Sequence, residues 1–338
     1  MDLARSRLDS TSFTVFFPPT VQVPINIFDP VYGAVPRPDR LDDPTSDESI
    51  NTDSLQFYVQ DQIDLLDNLI LVAGFNYELF DQTTSRTRGG TTTDSDQSGN
   101  FFSPRVGLVY QPVENLSLYT SYARSFFPNA ALNVAGDPLD PEEGEGFEVG
   151  IKTELLDRRL LATLSYFDLT RRNVATADPT DPRSSVATGE QRSQGIELDI
   201  TGEILPGWNL IGSYSYIDAQ VTQDNQFDVG NRLPGVPEHS ASLWTSYEIQ
   251  SGDLAGLGFG VGINWVGDRQ GDLDNSFTLD NYFLTNAAVF YQRNNWQLNL
   301  GLRNLFDVNY VVGTPRTRTR GIEPGAPFTV TGSIRYEF

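Results

Sequence analysis

The sequence predicts an all-β chain: a transmembrane antiparallel β-barrel segment of about fourteen strands, with short periplasmic turns and long extracellular loops. Three observations predict it. First, apolar and polar residues alternate over segments of roughly ten or more residues. Strands of soluble proteins average about five or six, and membrane-spanning strands need about nine to eleven. Second, the connections alternate between tight turns and long polar stretches, which gathers the long ones at one end. Third, the last segment, F-T-V-T-G-S-I-R-Y-E-F, sets Phe328, Val330, Ile334, Tyr336 and Phe338 on one face and Thr329, Thr331, Ser333, Arg335 and Glu337 on the other. It ends on an aromatic residue. A strand points alternate side chains to opposite faces, so one side of this segment suits lipid and the other a watery or plugged lumen.

Each element follows from the same pattern. A weak alternation over 8–17 gives the first strand, and 18–51, rich in Pro and Asp, reads as a long loop. Leu55, Phe57 and Val59 then alternate with Gln56, Tyr58 and Gln60. A short link at 65–68 leads to Leu69, Leu71, Ala73, Phe75, Tyr77 and Leu79 on one face. Thr, Ser, Gly and Asp dominate 82–100 and predict a loop. Phe102, Val106, Leu108 and Tyr110 form the next apolar face; 112–115 turns the chain, and Leu116, Leu118, Thr120 and Tyr122 return it. A loop over 126–143 precedes Phe147, Val149, Ile151 and Leu155. A turn at Asp157-Arg158 opens a strand over 160–171, with a loop over 173–185 behind it. Ile196, Leu198 and Ile200 oppose Glu197, Asp199 and Thr201, and Pro206-Gly207 is a strong turn signal before Trp208, Leu210, Tyr214 and Tyr216. After a loop at 222–238 come Leu243, Tyr247 and Ile249, a turn at 251–253, and Phe259, Val261, Ile263 and Trp265. A loop at 271–276, a strand at 279–291, a turn at Asn294-Asn295, the run Trp296, Leu298, Leu300, Leu302 and a loop at 304–327 lead to the last strand.

Composition narrows the function. The 338 residues carry a net charge of −22, which excludes nucleic acid as a partner, because a phosphate backbone needs basic patches. There is no Cys, hence no disulfide and no thiolate metal site. Lys152 is the only lysine. No stretch approaches the roughly 18 apolar residues of a membrane helix. The mean hydropathy of −0.32 argues against a helical membrane protein and is compatible with a barrel, where only alternate residues are apolar. The amino terminus, M-D-L-A-R-S-R-L-D-S, lacks the apolar core of a signal peptide. The expectation is therefore the carboxy-terminal part of something longer.

Several motifs then resemble one family. Ser121-Tyr-Ala-Arg-Ser-Phe-Phe-Pro128, Pro141-Glu-Glu-Gly-Glu-Gly-Phe-Glu-Val-Gly-Ile-Lys152 and Gln194-Gly-Ile-Glu-Leu-Asp199 are similar to the middle of TonB-dependent outer-membrane siderophore receptors. So are Leu233-Pro-Gly-Val-Pro-Glu-His239 with Ser242-Leu-Trp244, and Asn304-Leu-Phe-Asp-Val-Asn-Tyr310 ahead of the aromatic terminal strand. Asn26-Ile-Phe-Asp-Pro-Val-Tyr-Gly33 looks like the ferrichrome-type branch. The resemblance covers nearly the whole chain. It implies part of a barrel of about 22 strands, closed by an amino-terminal plug. It also implies import of ferric siderophores, of hydroxamate type, across the cell outer membrane, energised by the TonB complex. Against the family pattern, the plug domain, the TonB box and a signal peptide are expected to be absent from these residues. Residues 1–338 are thus expected to be the carboxy-terminal part of the barrel domain, with TonB engaged through the missing amino-terminal region. Ferric iron would arrive as a siderophore chelate, so neither a cofactor nor a protein metal site is expected.

The candidate chemistry is binding, not catalysis. His239 is the only histidine, sits where a loop enters a strand, and has no relay around it in sequence, so an enzyme is not expected. Gly256, Gly258, Gly260 and Gly262 alternate along a strand with no helix after them, which is small side chains facing a crowded lumen and not a phosphate loop. Asp42-Asp43 with Asp47-Glu48, and Asp94 with Asp96, are either oxygen ligands for calcium or, more simply, solvated acidic loops. A bulky chelate wants an apolar rim with a few polar groups. Tyr32, Phe126, Phe127 and Tyr310 are the aromatic candidates, and Arg316, alternating with Arg318 and Arg320, the cationic one; their bland alternative is ordinary loop packing. By the resemblance, Ile334, Tyr336 and Phe338 double as the signal for the barrel-assembly machinery, with outer-membrane lipid against their face. Two rival readings are a passive outer-membrane pore and a soluble β-structured binding protein.

Overall fold

The computed structural model describes residues 2–12, 46–88, 90–129, 131–181, 184–313 and 322–337. Among them the regular elements are all strands. In chain order these are β1 (Asp2–Ser12), β2 (Ser46–Leu66), β3 (Leu69–Arg88), β4 (Thr91–Val113), β5 (Leu116–Phe127), β6 (Glu142–Leu155), β7 (Leu160–Ala177), β8 (Ser185–Leu205) and β9 (Trp208–Gln223). Then come β10 (His239–Glu248), β11 (Leu257–Val266), β12 (Arg269–Gln270), β13 (Thr278–Leu279), β14 (Tyr282–Arg293), β15 (Trp296–Arg303), β16 (Val311–Gly313), β17 (Glu323–Pro324) and β18 (Thr329–Tyr336). Fourteen of them form one antiparallel sheet in the order of the chain, from β1 through β11 to β14, β15 and β18. β12 with β13, and β16 with β17, are two small ribbons inside connections. The sheet is open: among the described residues β1 and β18 are its edges and nothing joins them. Among the described residues no helix is long and apolar enough to cross a membrane.

The register shows why alternation governs this chain. Val149, Tyr166, Ile196, Tyr216 and His239 are successive cross-strand partners and make an apolar and aromatic row. One residue away, Gly150, Ser165, Glu197, Ser215 and Ser240 make a small and polar row on the opposite face. A single-layer sheet has no interior, so the apolar face stays exposed: Ile196 at 44%, Phe259 at 50% and Ile334 at 74%. This is the face that meets lipid in a barrel.

The tight turns fall where the sequence places them. Gly207 has φ 79, and a Cβ there would stand 2.5 Å from the Glu248 carbonyl oxygen, so glycine is required. Leu156, Asp157 and Arg158 turn the chain in left-handed conformations without a glycine, and Asn294 does the same between β14 and β15.

Four expected element bounds need correction. The first strand is Asp2–Ser12, paired from Ser12↔Ser46 to Asp2↔Gln56, and not 8–17; residues 13–17 lie outside the described set. The end of the expected 18–51 loop is strand, because β2 starts at Ser46. The expected loop at 82–100 is a tall hairpin, with β3 running to Arg88 and β4 starting at Thr91. The 173–185 loop shrinks to 178–184. The cause is common to the last three. Beyond the lipid both faces of a strand are wet, so the apolar signal vanishes while Thr, with good strand propensity, carries the ladder on. Gly256 is also not part of the glycine strand: it sits in the turn before β11 at φ 90. Gly258, Gly260 and Gly262 do alternate on the inner face, with the rings of Phe290 and Trp244 lying over them.

Candidate ligand site at the outer mouth

The turns at 66, 113, 157, 206, 252 and 294 mark one end of the sheet, and the connections after β5, β7, β9, β11 and β15 mark the other. Buried apolar side chains, Phe80, Phe101, Leu139, Ala219, Val221 and Leu279, all belong to that second end. There the loops fold back on the strands.

A cavity of about 490 Å³ lies at this end, lined by Phe127, Gly144, Leu169, Arg171, Gln191 and Leu233, among others. Its floor is open because two glycines stand in β6. A Cβ on Gly144 would meet the Ser125 hydroxyl at 2.4 Å, and one on Gly146 the Leu169 side chain at 2.9 Å. Leu233 reaches the cavity because its N–H donates to the Ala219 carbonyl, which ties the 224–238 connection to β9. A second cavity of about 480 Å³ continues along the sheet through the shared Ala123, lined by Arg105, Gly107, Tyr119, Ser121 and Lys152.

Charge is dense around this mouth and mostly paired. Arg124 donates to Glu143 at 2.7 Å. Arg172 reaches Glu145 at 2.6 Å and Glu190 at 3.1 Å, and Arg171 holds Glu142. Arg192 donates to Asp168 through Nε at 2.8 Å. In the connection 178–184, the Thr180 hydroxyl, then its backbone N–H, holds the Asp178 carboxyl below the usual carboxylate range.

The predicted site residues divide. Phe126 and Phe127 both line the first cavity, in different ways. Phe126 stacks on Phe101 at 5.2 Å, Phe101 stacks on Phe80 at 4.9 Å, and Arg124 lies 5.4 Å from the Phe126 ring centre. Phe127 is 68% exposed and is the free aromatic of the pair. Tyr310 sits apart, 4.6 Å from the Tyr282 ring and against Gly325, whose N–H donates to its carbonyl. Tyr32, Arg316, Arg318 and Arg320 lie outside the described residues, as does Phe338. Ile334 and Tyr336 are on the exposed apolar face of the edge strand, opposite Leu298 and Trp296. His239 lies in the aromatic row, hydrogen-bonded through Nδ1 to the Tyr214 hydroxyl at 2.9 Å. Asp94 and Asp96 stand on the tall hairpin, opposite Ser85 and Thr83. Among the described residues no three His, Cys, Asp or Glu side chains gather as a metal site.

Sequence reasoning missed Arg171, Leu169, Leu233 and above all Arg269. The alternation Gly144, Gly146 was the available signal for the first of these, since it clears one face of β6. Nothing in the local sequence Val-Gly-Asp-Arg-Gln-Gly marks Arg269 as buried.

Comparison with known proteins shows the family. A family model described as "TonB dependent receptor-like, beta-barrel" matches residues 6–305. The metal-pseudopaline receptor CntO of Pseudomonas aeruginosa is 36% identical over 320 residues, which are 93% of this chain and 44% of that protein. The ferrichrome outer membrane transporter/phage receptor of Escherichia coli is 33% identical over 286 residues, 83% of this chain and 38% of its own. The chain thus spans less than half the length of these relatives. The crystal structure of the ferric-catecholate import receptor Fiu of E. coli, closed form, superimposes with a TM-score of 0.81 at 23% identity, over 99% of this chain and 51% of that one. At that identity the likeness is one of fold.

Proposed function

The chain belongs to the TonB dependent receptor-like β-barrel family, and on that premise we propose that it forms much of the barrel wall of an outer-membrane receptor for ferric siderophores. The observation that carries this reading is the cavity at the loop-bearing end. Its apolar wall of Phe127, Leu169 and Leu233, set beside Gln191 and Arg171, is the mixture a bulky chelate needs. In the intact protein the outer loops and an amino-terminal plug capture the chelate. TonB, acting through the amino-terminal region, then rearranges the plug. The barrel-assembly machinery reads the terminal strand at Ile334, Tyr336 and Phe338.

The finer reading is a hydroxamate chelate of the ferrichrome kind, supported by the E. coli ferrichrome relative and by the segment from Asn26 to Gly33. A second class of metal chelate is favoured by the pseudopaline-receptor relative. A passive pore is the remaining alternative; the open order of the fourteen strands counts against this sheet forming one by itself.

The test is chelate binding by the whole gene product. Several ferric siderophores are titrated while tryptophan fluorescence is followed, with Phe127→Ala and Tyr310→Ala alongside. The expected result is selective quenching by a ferric hydroxamate, weakened about tenfold by Phe127→Ala, equivalent to about 1.4 kcal/mol. No response to any chelate, with ion conductance in a bilayer instead, would establish the pore.

A further inference from the structure

Arg269 is 4% exposed and is the one buried cation among the described residues. Its surroundings are unusual for a buried guanidinium. Nη2 donates to the Val311 carbonyl at 2.9 Å, and the contacts to the carbonyls of Val312 and Asp280 are long, at 3.3 and 3.5 Å. The guanidinium carbon lies 5.0 Å from the Tyr282 ring centre, and Tyr282 in turn packs on Tyr310. Nε has no acceptor, and among the described residues no carboxylate pairs with the group.

The contrast with the rest of the chain is sharp. Exposed arginines such as Arg5 and Arg158 do have carboxylate partners, where solvent makes a pair worth little. The arginine that has lost its water has none among the described residues. Neutral carbonyls and a ring face repay only part of the desolvation of a guanidinium. Its unused Nε–H is half of the fork that grips a carboxylate or phosphate through two parallel bonds. Tyr282 is the partner of Val266, on the same face as Ser240 and Glu197, so the cluster looks toward the inner side of the sheet and not toward lipid.

We propose that Arg269 is the closed form of an oxoanion site at the outer mouth. The short strand β16 covers the guanidinium through the carbonyls of Val311 and Val312. An anion arriving from the inner side displaces those carbonyls and takes the fork, and the cover moves with Tyr310. The inference rests on the receptor reading for the source of the anion, a carboxylate on a metal chelate; a phosphate is the other source with the same chemistry.

Hydrogen exchange of the intact receptor in outer-membrane vesicles tests this, read on residues 310–313, with citrate, with inorganic phosphate, and with chloride at equal ionic strength. Oxoanion is expected to speed exchange at least threefold in this segment, and chloride to leave it unchanged. Arg269→Gln should abolish the response, and Arg269→Lys, which keeps the charge but loses the fork, should weaken it. A response to citrate alone assigns the carboxylate source; a response to both assigns oxoanions generally. An equal response to chloride, a response that survives in Arg269→Gln, or none in the wild type overturns the site. If Arg269→Gln fails to fold, seen as lost heat-modifiable gel migration, a full response in Arg269→Lys overturns it instead. Chelate binding measured in parallel separates this outcome from the receptor reading: a chelate that binds with no anion response removes the site alone.

Discussion

The two sides of the sheet build their outer ends differently. β2, β3 and β4 run 21, 20 and 23 residues, whereas β10, β11, β15 and β18 run 10, 10, 8 and 8. The tall side gains height by repeating backbone rungs. Its side chains add exposed or half-exposed pairs, Arg5–Asp53, Arg86–Glu48 and the hydroxyls of Thr87 and Thr92. The low side stops its strands early and folds connections back over them. Polar side chains hold the connection between β15 and β18: buried Asn304, 2% exposed, bonds the carbonyls of Val308 and Ala326 and receives the Val308 N–H, and exposed Asp307 accepts from the Phe328 N–H. Height made of rungs is redundant. Cover made of buried side chains depends on individual residues.

Four substitutions separate the sides. Asn304→Ala should have the largest effect. It removes three hydrogen bonds made by a buried side chain, costing about 2–3 kcal/mol in urea unfolding of the lipid-embedded protein. A loss under about 0.5 kcal/mol would erase the contrast. Next comes Gly260→Val on the low side. Its Cβ would lie 2.3 Å from the Trp244 ring, and overpacking should cost about 1–3 kcal/mol. Trp244→Leu in the same chain should recover part of it. Arg86→Ala on the tall side breaks a pair that is 40% and 25% exposed, and the same assay should show less than about 1 kcal/mol. The smallest effect concerns Asp178. Its carboxylate is favoured in the folded state, so its contribution is present at neutral pH and is lost as the pH falls through its depressed pKa. The protection of the Thr180 amide, measured relative to its intrinsic exchange rate at each pH, should therefore fall in acid, and Asp178→Asn, whose amide oxygen still accepts, should remove that pH dependence. An unchanged acid response in Asp178→Asn would assign it to another group.

Legibility followed the lipid. Where one face is apolar, residues such as Val149 and Ile196 declare their side, and the strands and tight turns were read correctly. Above the belt the signal fails, which is why 82–100 reads as loop although it is strand. At the site, Phe126 and Phe127 are equivalent as letters. Only the stack through Phe101 and Phe80 makes the first a wall residue and leaves the second free. The run from Asn304 to Tyr310 was visible as a motif but not as a function. Its Asn and Asp, both at φ 49, shape the entry to the last connection. Arg269 is not legible, because its burial comes from residues distant in sequence, Tyr282 beyond the next connection and Val311 and Val312 more than forty positions away.

The tall hairpin has one more consequence, for how such a protein can vary. Above Leu79 and Phe102 it rises roughly nine residues, about 30 Å at the rise of a strand, without touching the lipid-facing rows. Side-chain direction repeats every two residues. A pair of residues added to each arm near the Arg88–Thr91 turn lengthens the tip and leaves every facing below it intact. A single added residue would need a bulge. The tip can therefore grow or shrink in even steps, presenting new surface to whatever meets the cell, while the membrane-embedded portion inherits its arrangement unchanged.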